Sequence, residues 1–312
     1  MKKTVYILQV IFFICFCLSL SVLLFQFAGN KNPLRKLDRK SPEMERPESF
    51  DASLSRLSSV EKIAAYCDSL YKARYGDRQL NFDSQYAEIV SEVVRLRFYH
   101  GYSNYGFENN YLAYLVSLVS KSGYSSIILN DDILKHPNGS CSQQSLIAME
   151  LMQRKGIATR EVGFHGPKYG GHFCFEAYYN NSWHFFDTNM EPDLAEIRGV
   201  GRPGIAELVK NPQTLLSLYR QYPKETVMDI FLNYKYGAVN KYPASIGSLF
   251  QRVTYFLSYT IWLFFLIAFI FTRRLYLRLS RTQYVRNSRI HFPTLFRGAA
   301  APHHKGLTTQ RS

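Results

Sequence analysis

A chain of 312 residues with 46% hydrophobic content holds enough apolar material for a sizeable core in one or two domains. Its formal charge of +14 suggests a polyanionic partner until it is counted by segment. Residues 1–40 carry seven Lys/Arg against one acid and residues 273–312 carry nine against none, which leaves 22 against 23 between them. The near-neutral middle removes the basis for nucleic-acid binding.

The apolar content is concentrated at two places. Val5 to Ala28 is a run of 24 residues without a charge, and Val253 to Phe271 is a second run of 19. Each is long enough to cross a hydrocarbon core of about 30 Å as a helix, so spans are expected over 1–28 and 253–272. Lys2 and Lys3 give the first run a basic start, as in a signal peptide. Its apolar stretch exceeds the usual signal core of about 7–15 residues and no small-x-small cleavage site follows, so an uncleaved anchor is expected. The basic tail over 273–312 (RRLYLRLSRTQYVRNSR and beyond) places the C-terminus in the cytoplasm. With two spans, both termini are then cytoplasmic and residues 29–252 lie outside. Lys31, Arg35, Lys36, Arg39 and Lys40 vote the other way, but a long loop weakens the rule.

Residues 29–57 mix Pro, Ser and charge without apolar periodicity and read as a juxtamembrane linker. Ser58-Ser59-Val60-Glu61 fits a capping box and opens a helix to about Tyr75. Helical spacing recurs over 84–100 and 109–121. A helix follows Cys141, with Leu146, Ile147, Met149, Leu151 and Met152 as its apolar face and Gly156 as its stop. The period then changes: 158–164, 172–179 and 182–187 are rich in Val, Phe, Tyr and Trp and read as strands. Asn180-Asn181 suits a two-residue hairpin turn. Residues 203–235 return to helical spacing, and the tail from about Ser288 is expected to be disordered. Helices followed by strands define an α+β domain over 58–235, with helices packed on an antiparallel sheet.

A strict two-residue turn makes every cross-strand pair sum to 361, so 174 faces 187 and 172 faces 189. His172 and Asp187 are then diagonal neighbours on one face, about 7 Å apart at Cβ, within reach of a carboxylate–imidazole hydrogen bond. A turn longer by one residue would put them on opposite faces. Cys141 stands at a helix start, where the dipole favours thiolate over thiol. Cys141, His172 and Asp187 thus fit the roles of nucleophile, base and orienter.

The stretches GSCSQQSLIAMELMQRKGIATREVGF (139–164) and GHFCFEAYYNNSWHFFDTN (171–189) resemble the core of the transglutaminase-like superfamily, which has a papain-like fold. The matching elements are Cys141 at a helix start after a small residue, Gly156-Ile157-Ala158-Thr159-Arg160 entering a strand, His172 with Glu176, and Trp183 with Asp187. The resemblance implies a catalytic role for Cys141, His172 and Asp187. It names no substrate, because relatives include amide cross-linkers, peptidases, peptide:N-glycanase and inactive scaffolds. The family's usual aromatic two residues after the His is Cys174 here. Three readings of Cys174 stand: a small buried apolar residue, a redox partner of Cys141, or a metal ligand beside His172.

The cysteines are Cys15 and Cys17 in the first run and Cys67, Cys141 and Cys174 outside it, an odd number in an oxidising compartment. No CxxC pair supports a zinc framework. His165 and His184 are expected at the surface, and Glu176 as a solvated or paired strand residue. The sequons Asn138-Gly139-Ser140 and Asn180-Asn181-Ser182 read as turns. The expected function is a membrane-anchored, extracytoplasmic thiol acyltransferase or hydrolase at a bacterial plasma membrane, acting on a protein, peptide or cell-envelope amide. No cofactor and no metal is expected. Two other classes remain open: an inactive binding or assembly module in a cell-envelope pathway, and a redox-regulated or structural protein in which Cys141 and Cys174 are joined.

Overall fold

The computed structural model describes residues 2–29, 50–77, 80–120, 123–190 and 192–291, with backbone alone at 29 and 283–291. It divides into two compact units, one of Met1–Leu24 with Tyr259–Ser312 and one of Phe25–Ser258. The tail from 292 and linker residues 30–49 lie outside the described residues.

In the first unit, parts of helix α1 (Lys2–Gly29) and of helix α11 (Ser245–His291) run side by side in opposite directions. The Tyr6 and Tyr276 rings lie 5.7 Å apart, and Phe13 and Phe269 lie 5.2 Å apart. Both helices are long and apolar enough to cross a membrane, over Lys2–Ala28 and Ser245–Thr282. Their most apolar windows are only 6% and 11% buried, whereas the core helix of a soluble protein would be covered. The first also occupies the place of a signal sequence. Helix α11 extends well past both ends of the expected 253–272 span, and its backbone is helical to His291, so the expected onset of disorder at Ser288 falls inside a helix.

The second unit is an α+β domain that begins before the expected boundary at 58. Residues 50–57 belong to it: a 3₁₀ turn over Ala52–Arg56 follows the Asp51 cap, and Leu54 and Leu57 enter the core. Their anchor is Arg97, which is 1% exposed. Its guanidinium donates to the carbonyls of Leu134 (2.7 Å), His136 (3.1 Å), Ser55 and Leu57 (both 3.4 Å). Burial without a carboxylate pushes its pKa down to about 10.

Helix α2 (Val60–Tyr75) is capped by Ser59, whose hydroxyl accepts from the Lys62 N–H at 3.3 Å. The cap thus falls one residue after the expected Ser58, and Glu61 occupies the first turn instead of closing a box. Val60, Ile63, Cys67 and Tyr71 form its buried stripe and pack with helix α3 (Phe82–Arg97). Cys67 is core packing, its thiol pushed up to about 12 by burial.

Strands β3 (Ala158–Gly166), β4 (Gly170–Tyr179), β5 (Ser182–Phe186) and β6 (Tyr234–Tyr236) form an antiparallel sheet in the order β5-β4-β3-β6. The last strand falls in a segment expected to be helical. That segment holds three short helices, α8 (Ile205–Lys210), α9 (Pro212–Leu218) and α10 (Lys224–Phe231), and then pairs with β3 at Val162–Phe164. Three residues are too few for a period to show.

Helices cover the sheet on both faces. Phe175, Ala177, Tyr179 and Phe186 join α2, α3 and helix α6 (Cys141–Gln153) in one core. Val162, Phe164, Cys174 and Phe185 join α8–α10 in the other. The alternation of 174 and 175, and of 185 and 186, between two cores follows from the period of two along a strand.

Asn180 and Asn181 have φ of 49° and 60°, as a type I′ turn requires, and the pairs run from Tyr179–Ser182 to Phe175–Phe186, each summing to 361. Asn181→Val is expected to destabilise the full chain by about 1–2 kcal/mol through its left-handed backbone. Asn181→Gly should keep or raise stability, both read from denaturant unfolding in detergent followed by near-UV circular dichroism.

Candidate active site

Cys141 is the first residue of α6 and is half-buried. The loop before it is held by the Gln143 side chain, which is 1% exposed. Its carbonyl accepts from the N–H groups of Ser140 (3.0 Å) and Ser103 (2.9 Å). Its amide donates to the carbonyls of Ser103 (2.8 Å) and Ile127 (2.7 Å). The two-residue strands β1 (Tyr99–His100) and β2 (Asn138–Gly139) pair in parallel just ahead of the cysteine. A Cβ on Gly139 would sit 3.2 Å from the Phe98 ring, which explains the small residue there.

At the start of β4, the Ser145 hydroxyl donates to the Phe173 carbonyl at 3.2 Å and ties α6 to the strand. The Phe173 N–H and the neighbouring His172 ring both lie near enough to the Cys141 thiol to lower it. The His172 Nε2 is 2.8 Å from Asp187 Oδ2, which leaves Nδ1 for the thiol. Nucleophile, imidazole and carboxylate expected from the sequence are therefore brought together by one helix end and one hairpin.

Asp187 is buried, and both of its oxygens are doubly bonded by donors. Oδ1 accepts from the N–H groups of Asn189 and Met190, both at 2.9 Å. Oδ2 accepts from His172 and from the Tyr219 hydroxyl at 3.0 Å. Burial pushes this carboxyl up, but the His172 charge and these hydrogen bonds outweigh it and hold it below the usual range. For His172 the same balance runs in reverse: burial disfavours the charged ring, and the Asp187 charge wins and raises it well above its ordinary value. The Cys141 thiol is pushed up by burial and pulled down further by the His172 hydrogen bond and charge, ending below the ordinary thiol range.

Cys174 lies on the same face, fully buried, with its thiol held well above normal by burial and by Asp187. It packs against Val162, Phe164 and Phe185 as a small apolar residue. All five cysteines are free. His172, Cys174 and Asp187 each present a ligand atom within 4.8 Å of the others. The set fits a metal poorly, because both Asp187 oxygens are already taken by four donors.

His165 is exposed as expected. His184 is not: it is 9% exposed, stacks on Tyr179 at 3.8 Å, and bonds the Arg202 carbonyl at 2.7 Å through Nδ1. Glu176 is the paired strand residue, 0% exposed, with its carboxylate 2.6 Å from Arg160 and accepting from the Ile205 N–H. Tyr219, Gln143 and the Asn189–His100 contact (2.6 Å) complete the surroundings, and sequence reasoning missed all three. Tyr219 stands 32 residues past Asp187 on a different element, and no local pattern marks such a partner.

Comparison with known protein families, curated protein sequences and solved structures finds no match to this chain. What the fold and site define is an α+β chain carrying a buried carboxylate–imidazole pair with a thiol against it.

In a Cys141→Ala chain, the His172–Asp187 pair should still contribute its own part of the dependence of stability on pH. Asp187, lowered on folding, contributes above the unfolded carboxyl value of about 3.9, and the contribution fades as pH falls through its folded value. His172, raised, contributes below the unfolded value of about 6.5, fading as pH rises through its folded value. Unfolding midpoints should plateau between about pH 4 and 6.5. Asp187→Asn in that background should remove the plateau's advantage.

Proposed function

We propose that this chain is a membrane-anchored thiol enzyme of the transglutaminase-like kind, cleaving or transferring an amide acyl group outside a bacterial plasma membrane. The observation that supports the reading is the Cys141 thiol at the start of α6 against a His172 ring whose far nitrogen is bonded to buried Asp187. The basic tail and the two apolar helices support an anchor with both termini cytoplasmic.

The Cys141 thiolate attacks the amide carbonyl, forming a C–S bond as the carbonyl π pair moves to oxygen. The N–H groups of Cys141 and Ser142, in the first turn of α6, are the donors this reading assigns to that oxygen. His172, protonated, gives its proton to the departing amine as the C–N bond breaks, leaving a thioester on Cys141. Water or an amine then attacks the thioester while His172 takes its proton, and the thiolate is released with the imidazolium restored. Asp187 keeps the ring oriented and stabilises its charged form throughout. The substrate class is a protein, peptide or cell-envelope amide, and the chemistry needs neither metal nor organic cofactor.

Acid quenching of the full chain after incubation with glutamine-containing and cell-envelope peptides, followed by peptide mass spectrometry, should show an acyl group on Cys141 with loss of the amine. Turnover should fall by at least about 10³-fold in Cys141→Ala and in His172→Ala. Peptide binding without an adduct, with turnover absent from the unaltered chain, would favour the binding-module reading.

A further inference from the structure

The helix α4 (Phe107–Ser120) is built for a place other than water. After a break at Asn110 (φ −144°, ψ 75°) it leaves an apolar surface open: Leu115, Val116, Leu118 and Val119 are 42, 38, 57 and 86% exposed. Its buried end packs along the beginning of the apolar run of α11. Asn110, 0% exposed, donates to the Gln251 carbonyl (3.4 Å) and the Thr254 hydroxyl (3.1 Å). Its own side-chain carbonyl accepts from the Ala113 N–H and the Ser258 hydroxyl, both at 3.2 Å. Ser258 in turn accepts from the Leu112 N–H at 3.4 Å.

Two features of this arrangement point the same way. Ser258 lies about five residues, or roughly 7.5 Å of helix rise, inside the apolar run that starts at Val253, so the start of α4 is level with residues already within that run. The N–H groups that a helix start normally leaves to water are taken here by protein side chains, as a dry environment demands. On the other flank, Phe107 meets Phe25, near the end of α1, with ring centroids 6.0 Å apart. Phe25, 54% exposed, adds to the open apolar surface beside Phe107.

We propose that α4 is a third membrane-embedded element, a 14-residue interfacial helix that rests in the outer leaflet and docks the catalytic domain onto the lipid surface. It is too short to span, and its Asn110 side chain and Leu112 N–H are bonded by Gln251, Thr254 and Ser258 of α11. The occupant of its open face is acyl chain, because α4 is bonded to Thr254 and Ser258, which already lie within the apolar run of α11. This rests on the membrane reading of α11.

The test uses the full chain reconstituted in phosphatidylcholine vesicles, with Cys15, Cys17 and Cys141 replaced by alanine. An environment-sensitive nitrobenzoxadiazole dye is attached, one site per sample, to Val119→Cys, Ile267→Cys or Lys210→Cys. Nitroxides on the lipid acyl chains should quench the dye at 119 to an extent approaching that at 267 and several-fold above that at 210, with a blue-shifted emission at 119. Quenching at 267 but only the 210 level at 119 would overturn the proposal and leave the span intact. Weak quenching at 267 as well would overturn the membrane reading and the proposal together. Protection at 119 that appears only at high protein-to-lipid ratio, with 119–119 disulfide formation in undyed protein, would overturn it in favour of a second copy covering α4.

Discussion

The hydrogen bond between His172 and Asp187 decides what the rest of the site can be. It joins two adjacent strands across a two-residue turn, and its existence depends on a register in which one inserted residue would send the two side chains to opposite faces. Asn180 and Asn181 tolerate the left-handed backbone that fixes this register. A buried carboxylate in turn needs its charge answered, and here the answer comes from His172, Tyr219 and the two N–H groups that follow Asp187 in the chain. The same arrangement holds the Asp187 carboxyl below its usual range, raises the His172 ring above its ordinary value and lowers the Cys141 thiol. Each step transfers a constraint from backbone geometry to protonation state.

That chain of effects works because the two cores hold its parts rigidly. The sheet is clamped between helices on both faces, and α6 is fixed to β4 through Ser145 and to the 103–127 segment through Gln143. The loop before Cys141 has little freedom: Gly139 is pressed against Phe98, and Ser140 is bonded to Gln143. Arg97 secures the start of the domain by donating to four carbonyls, so residues 50–57 close over α3 instead of trailing as a linker. A helix start alone would only bias the thiol; here the His172 ring lies near enough to lower it further.

Much of this is legible in the residues. The change from helical to alternate spacing after Gly156, the Asn-Asn turn and the sum rule it implies place His172 and Asp187 on one face. Cys141 at a helix start follows from Asn-Gly-Ser and the apolar face behind it. What stays hidden are contacts with no local pattern. Tyr219 reaches Asp187 from another element, Gln143 looks like any polar helix residue, and Arg97 binds carbonyls, which every residue has. His184 reads as a surface residue because a lone histidine gives no sign of the Tyr179 ring and Arg202 carbonyl that enclose it. The three-residue β6 is too short for a period, and the polar contacts between α4 and α11 join segments more than 140 residues apart.

The most direct measurement is the rate of iodoacetamide labelling at Cys141 in the full chain as a function of pH, mapped by peptide mass spectrometry and run beside His172→Ala. A thiolate held by the imidazolium predicts labelling that persists well below the free-thiol pKa of about 8.5 and a curve displaced upward in the variant. The same ordinary titration near about 8.5 in both proteins would contradict a primed nucleophile and leave Cys141 a packing residue.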